Sequence, residues 1–488
     1  MSGQSAAQNK LLVDRVRETI ALALKSPYYQ RALFEKKKYA DTVPEYSSQS
    51  VTRMFIEDLS SIPFLKNISG IEYYQQRIRI LASSGDLVVL TEPMDEDYET
   101  YNRHFLQLGS PTFIDVTPRP GTGMSVVENA LSSPNFHKYL QILAQKNREL
   151  HIHPYMGSPA VWRIAEYSLN KYKLKTKIHA PLPGISSLVN NKNEFMELVR
   201  NLCGPAYVPE YLTARSISAL SKNVRQLAHR FNKIVLKLPD CASSMGTKVF
   251  NRSEILSLTG SELQRRITHL LQSMEWDHQS AVVVSKWYDN VVQSPSVQLW
   301  LPPLSSGYPT VEGIYEQILE GEEKVFNGSM PAQLEPALEK ELTEMSYLLA
   351  VYIQQLGYIG RCSFDTIITS GDRSAPAIKF VECNGRWGGT SLPMSLIFRL
   401  FSPTRYPYYQ ARDYISPCLR GKNFAYLLEK MGDQCYSRNN SSGRYIFYNV
   451  GGLAQHGKLD VIILGENSQE CQDLWNSKFS VASHLEWN

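Results

Sequence analysis

Shortages narrow the field before any motif is read. The chain has seven cysteines, an odd number with no C-x-x-C pair, which argues against both a disulfide framework and a cysteine zinc site. An excess of one charge sign is missing too: 51 Lys and Arg against 47 Asp and Glu leave +4 over 488 residues, too balanced to imply a nucleic-acid partner. No apolar run approaches the roughly 20 residues of a membrane-spanning helix. The polar segment 1–10 lacks the apolar core of a signal peptide. A cytoplasmic protein without a membrane partner is the expectation. The pattern G-x-x-x-x-G-K-[ST] is also absent, which disfavours the P-loop class of nucleotide-binding proteins.

What is present is ordinary globular composition, 43% hydrophobic and 20% charged, in a chain long enough for about three domains with their own cores. The run Lys36-Lys37-Lys38 reads as a solvated helix surface. Residues 1 to about 80 look helical, because Leu11, Leu12, Val16, Ile20 and Leu24 recur near helical spacing. Strand-like runs follow at 86–90, 112–116 and 150–153, with an acidic helix start around Asp95. Ser158-Pro159 reads as a helix N-cap with proline at the first helical position. Alternating strands and helices predict a small, mostly parallel α/β unit. His151 and His153 share a strand face, but two imidazoles without a third ligand favour a structural or substrate-lining role.

The most informative stretch lies later. Gly360-Arg361-Cys362-Ser363-Phe364-Asp365 ends an apolar, β-branched run, and Glu382 and Asn384 sit two apart on the next strand, so their side chains leave one face. Two carboxylates and an amide oxygen suit a hard divalent cation such as Mg²⁺, whose shell substrate phosphates and water complete. Arg386, two residues further, can neutralise phosphate charge, and the loop Trp387-Gly388-Gly389-Thr390-Ser391 offers backbone N–H groups to an anion. A long amphipathic helix carrying Leu338, Leu342, Met345, Leu349, Ile353 and Leu356 precedes this site, with Gly357 placed to end it.

These residues resemble the ATP-grasp superfamily, whose last core strands carry Asp, then Glu-x-Asn, then a basic residue and a small-residue loop. The likeness implies an α/β and α+β chain: a helical segment and a small parallel pre-ATP-grasp domain over 1–183, an ATP-grasp core over 184–402, and a small C-terminal α+β domain over 403–488. Within that frame, Asn190 caps a helix with Lys192 in its first turn, near the nucleotide phosphates. Lys237, flanked by apolar residues, needs a phosphate or adenine nitrogen as partner. The resemblance puts Ser243, Ser244 and Gly246 in a loop over the phosphates. It also puts Ser285, Lys286, Trp287 and Tyr288 beside the purine, with Asp289 toward the ribose, although the family commonly has glutamate where Ser285 stands. Residues 296–301 are expected to pair as the next strand, with Glu312 or Gln317 facing the pocket. Two further strands around a Gly451-Gly452 turn predict the C-terminal appendage.

The domain order is most similar to the peptide-ligase branch exemplified by pheganomycin biosynthesis. The implied chemistry is ATP-dependent joining of a carboxylate, an amino acid or natural-product acid, to an amine or peptide through an acyl phosphate. Asp365, Glu382 and Asn384 would hold Mg²⁺, or Mn²⁺ in its place. Arg361, Arg386, Gly388, Gly389 and Ser391 would stabilise developing charge. Rival readings are a kinase acting on a non-carboxylate acceptor and a nucleotide-binding regulatory protein. Small-molecule partners are expected, and a homodimer is compatible with them.

Overall fold

In the computed structural model, residues 2–44, 51–63, 68–118, 124–240, 246–321, 324–370 and 376–479 are described. Strands β1 (Val51–Ile56), β2 (Leu87–Leu90), β3 (Thr112–Asp115), β4 (Glu149–Pro154) and β5 (Thr176–Ile178) form a wholly parallel sheet in the order β3-β2-β1-β4-β5. Parallel strands are joined by crossovers that cover both faces, so they read as continuous apolar runs. Leu87-Val88-Val89-Leu90 is buried throughout. The helix Pro159–Tyr172 starts where Ser158-Pro159 predicts.

The first 80 residues correct the helical expectation. Helices Ser2–Lys25 and Pro27–Lys38 are present, but β1 follows them and occupies the sheet centre. Its apolar run is only Met54-Phe55-Ile56, preceded by Arg53, whose guanidinium bonds Asp86 at 2.7 and 2.9 Å. Its strand character comes from β2 and β4 on either side, not from local alternation.

A second, antiparallel sheet combines β6 (Tyr211–Ala214), β7 (Lys233–Lys237), β8 (Thr247–Asn251) and β9 (Val282–Lys286) in the order β6-β9-β7-β8. Helices Ile217–Arg230 and Gly260–Ser273 pack on it around Leu220, Leu227, Ile234, Leu236, Leu263 and Ile267. A capping box between Thr259 and Glu262 starts the second helix.

The third sheet has nine strands, β10 (Val291–Gln293), β11 (Pro295–Leu301), β12 (Thr310–Glu320), β13 (Val325–Pro331), β14 (Gly360–Thr369), β15 (Ala377–Asn384), β16 (Tyr408–Ile415), β17 (Tyr445–Asn449) and β18 (Lys458–Gly465). β11 lies here, between β12 and β14, and not beside β9 as expected. Both edges of β9 are already taken by β6 and β7. The helix Pro336–Leu356 buries Leu342, Leu349, Ile353 and Leu356 completely, and Gly357 closes it at φ 105°. It lies along Ser2–Lys25.

Three C-terminal strands are found where two were expected. They extend the nine-stranded sheet through β13, where Gly328 and Ser329 pair with Arg412 and Ala411. Gly328, at φ 154°, permits this contact: a Cβ there would meet the Ala411 carbonyl oxygen at 2.2 Å. Among the described residues, no helix is long and apolar enough to cross a membrane.

Candidate active site

β14 and β15 pair antiparallel, placing Asp365 opposite Glu382 and Ser363 opposite Asn384. Asp365 sits within β14 and not at its end, because Thr366-Ile367-Ile368-Thr369 continue the pairing with β15. Its Oδ1 accepts from the Ser296 hydroxyl at 2.6 Å and its Oδ2 from the Asn384 amide at 2.8 Å. Glu382 Oε2 lies 3.0 Å from Lys192 Nζ.

The two carboxyls are shifted in opposite directions. Burial, then the Glu382 charge, push Asp365 up to about 7. Burial also acts to raise Glu382, but Lys192 and Lys237 outweigh it and hold this carboxyl below its usual range. Two facing carboxyls and an amide, with the Glu382 charge acting to raise Asp365, form an oxygen donor set that fits a hard divalent cation, which would favour the ionised form of both. The three histidines of the parallel sheet do not converge in this way. His151 Nδ1 meets His179 Nε2 at 2.8 Å and His153 stacks on His179 at 4.3 Å, while burial and His151 push His179 down to about 3.

Lys192 opens the helix Lys192–Leu202, whose cap is Asn191 and not Asn190: the Asn191 side chain accepts from Asn193 N and Glu194 N. Asn190 instead ends the preceding helix, Pro183–Asn190. Its Oδ1 accepts from Gly385 N at 3.0 Å and from Arg386 Nη1 at 2.8 Å. A Cβ on Gly385 would meet Val189 at 2.5 Å, so only glycine lets the strand end approach this helix. Trp387 N donates to Tyr155 O at 2.9 Å, which ties the same turn to the parallel sheet's domain. Lys237, at the end of β7, faces the cluster; burial lowers its pKa while Glu382 opposes that.

The loop 388–391 is tied more tightly than an open anion cradle. Gly388 N donates to Ser391 Oγ at 2.7 Å, and Ser391 starts the helix Ser391–Leu400. Phe326 covers Gly389, where a Cβ would meet its ring at 2.5 Å. Arg361 forms an ion pair with Glu312 and lies over the rings of Trp300 and Trp387, at 5.5 and 4.9 Å. Burial pushes its guanidinium down to about 10. It therefore sits behind Trp387 with Glu312 as partner, and Glu312 is accounted for by that pair.

Ser285 and Lys286 end β9. The backbone N–H of Lys286 already donates to Glu210 O and that of Trp287 to Lys233 O, at 2.9 and 3.1 Å. The Lys286 ammonium lies 4.4 Å from the Tyr288 ring, and Asp289 pairs with Lys233. Gly246 O accepts from Leu238 N at 2.8 Å, closing the β7–β8 turn. Ser243 and Ser244 lie outside the described residues.

A cavity of about 870 Å³ runs from Asp365, Glu382, Asn384 and Arg386 across β11 to β13, where Gln317 lines it, to Asp413 and Asp460 on β16 and β18. A smaller one of about 290 Å³ opens on the other side of Glu382 and Asn384, toward Lys192, Asn190 and Ser158. Sequence reading missed Asn190 as the clamp on Arg386, Ser296 as the donor to Asp365, and β16, the strand that brings Asp413 to the cavity wall. The small-residue environment of Gly385 was the available signal for the first; nothing local marks the others.

A family model described as the pre-ATP-grasp domain matches residues 75–168. No curated protein matches the sequence. Among solved structures, the ADP complex of an N5-carboxyaminoimidazole ribonucleotide synthetase is similar at 11% identity and TM-score 0.52, covering 91% of this chain and 98% of that one. The biotin carboxylase domain of Hydrogenobacter thermophilus 2-oxoglutarate carboxylase, with MgADP, ADP and bicarbonate, gives 11% and 0.52 over 88% and 90%. The Thermus thermophilus N5-carboxyaminoimidazole ribonucleotide synthetase gives 12% and 0.51 over 88% and 98%. The chain thus has an α/β, ATP-grasp type of fold led by a parallel pre-ATP-grasp domain.

Proposed function

We propose that this protein is an ATP-dependent ligase that joins a carboxylate to an amine through an acyl phosphate, releasing ADP and phosphate. The carrying observation is the gathering of Asp365, Glu382, Asn384 and Arg386 at one end of a cavity of about 870 Å³, with Lys192 paired to Glu382 from the smaller cavity beside it. The similar synthetase and carboxylase hold ADP and MgADP, which supports a nucleotide and Mg²⁺ here. In this reading, residues 1–183 support the site, 184–402 bind nucleotide and carry the chemistry, and 403–488 wall the substrate compartment.

When bound, Mg²⁺-ATP supplies the transferable phosphoryl group and the charge that neutralises it; Asp365, Glu382 and Asn384 would hold the metal. Lys192 and Lys237 would neutralise the phosphates from the side facing Glu382. Arg386, fixed by Asn190, would align the substrate carboxylate. Ser296 is committed to Asp365 and Ser391 to Gly388. In this reading the substrate's own carboxylate is the nucleophile toward phosphorus. An amino acid or a natural-product acid as donor, and an amino acid or peptide as amine, fit the cavity's size and mixed polarity.

Oxygen-18 in the acid tests this. The carboxylate oxygen bonds phosphorus and its C–O bond breaks when the amine attacks, so released phosphate should carry one labelled oxygen. Unlabelled phosphate alongside labelled amide would reject the acyl phosphate.

A further inference from the structure

β11 is buried on both faces, yet the two faces differ in chemistry. Val297, Leu299 and Leu301 are 0% exposed on one side, while Ser296 and Gln298, at 2% and 1%, occupy the other. Placing a hydroxyl and an amide in such a strand costs free energy unless each finds a partner. The partners lie toward the metal face. Ser296 pairs opposite Asp365, and Gln298 opposite Ser363, which in turn faces Asn384. The register slips at both places: between Gln298 and Leu299 against β12, and between Asp365 and Thr366 against β15. Irregularities of this kind re-aim side chains and gather beside functional sites.

Hydrogen-bond polarity then fixes a direction. In the ionised form that a cation requires, the Asp365 carboxyl only accepts, so the single hydroxyl hydrogen of Ser296 is spent on Asp365 Oδ1, at 2.6 Å. Ser296 Oγ is left as an acceptor, and Gln298 Nε2 donates to it at 3.0 Å. On the other carboxyl oxygen, Asn384 Nδ2 donates to Asp365 Oδ2 at 2.8 Å, which turns the Asn384 amide oxygen away from Asp365. Asp365 thus takes one donor on each oxygen, and two of its roughly four lone-pair sites stay open to a cation.

We infer that Gln298 is a positioning residue of the metal site, acting through the Ser296 hydroxyl to hold the Asp365 carboxyl in the orientation a divalent cation needs. Neither side chain has to touch the cation or the substrate for this. Without the Gln298 donor, the Ser296 hydroxyl is free to turn, and Asp365 Oδ1 loses its fixed partner. Groups that orient a ligand from behind are worth about ten- to a hundredfold in metal affinity. The inference rests on the metal assignment made above and reaches two side chains beyond the ligand itself.

Manganese binding to the full chain in the presence of ADP, read from the electron paramagnetic resonance signal of free Mn²⁺, tests this without turnover. Gln298→Met, which nearly keeps length and volume but loses the donor, and Ser296→Ala should each bind Mn²⁺ about ten- to a hundredfold more weakly than wild type. The double variant should be no weaker than Ser296→Ala alone, because one relay produces both losses. Ser296→Thr, which keeps the hydroxyl, should hold Mn²⁺ as wild type does. Unchanged affinity in Gln298→Met, or single losses that add in the double variant, would overturn the inference and leave Gln298 a packing residue. A loss in Ser296→Thr as large as that in Ser296→Ala would do the same, since the hydroxyl would not then be the cause. A wild-type chain that binds no Mn²⁺ at millimolar concentration would remove the metal assignment and the inference together. Mn²⁺ affinities in the expected order without acyl-phosphate formation would count against the ligase reading alone.

Discussion

Asn190 and Asn191 are adjacent, identical and differently employed. Asn191 satisfies the orphan N–H groups of Asn193 and Glu194, the work any helix cap performs. Asn190 spends its oxygen on Gly385 N and Arg386 Nη1, almost two hundred residues away. Sequence could show that an asparagine caps this helix but not which one, since the choice rests on a contact with the end of β15. Asn190→Ala should therefore lower turnover by roughly ten- to a hundredfold through a misplaced guanidinium, with melting shifted by only about the value of one or two hydrogen bonds. Steady-state kinetics beside calorimetric melting check the pair; an equal loss in Asn191→Ala would remove the clamp from the account. Glu382→Ala and Asn384→Ala should each abolish turnover with an unchanged circular dichroism spectrum, and full activity in both would eliminate the metal assignment.

At the scale of elements, long periodic segments were legible and short tertiary ones were not. The Pro336–Leu356 helix and its glycine stop follow directly from the leucine spacing. β1 and β16 escaped detection for the same reason: charged residues interrupt them, Arg53 in one, Arg412 and Asp413 in the other. The two arginines are held by Asp86 and Glu320, partners that no local window contains. The join between β13 and β16 is the element-level weak point, because it needs the bare backbone of Gly328. Gly328→Ala should lift β16, β17 and β18 off the sheet edge. Hydrogen exchange should quicken across residues 408–415 and 458–465 while β14 and β15 stay protected. Unchanged exchange across those strands would show that the contact can yield.

For the whole molecule, the shared face of Glu382 and Asn384 was readable because they lie two apart on one strand, whereas the juxtaposition of Asp413 and Asp460 in the opposite wall was not, because they meet only through pairing of strands distant in sequence. The distribution of buried carboxyls has a global consequence. Glu57, Asp365 and Asp413 are each pushed up to about 7, burial being the largest cause in every case. Acids with raised folded pKa values bind more protons folded than unfolded between about pH 4 and 7, so their contribution to stability is present at low pH and lost as pH rises through about 7. His153 and His179, kept neutral by burial, act in the opposite sense up to about pH 6.5, so the reading is a difference: from about pH 5.5 to 7.5 the melting temperature of Asp413→Asn should fall less, or rise more, than that of wild type, and identical slopes would contradict the burial of Asp413. The central claim is that the site activates a carboxylate, and hydroxylamine trapping reads that most directly. Enzyme, Mg²⁺-ATP and a competent acid should give a hydroxamate together with acid-dependent ADP release, both suppressed in Arg386→Ala. A stable phosphorylated product without hydroxamate would contradict the claim and make the protein a kinase.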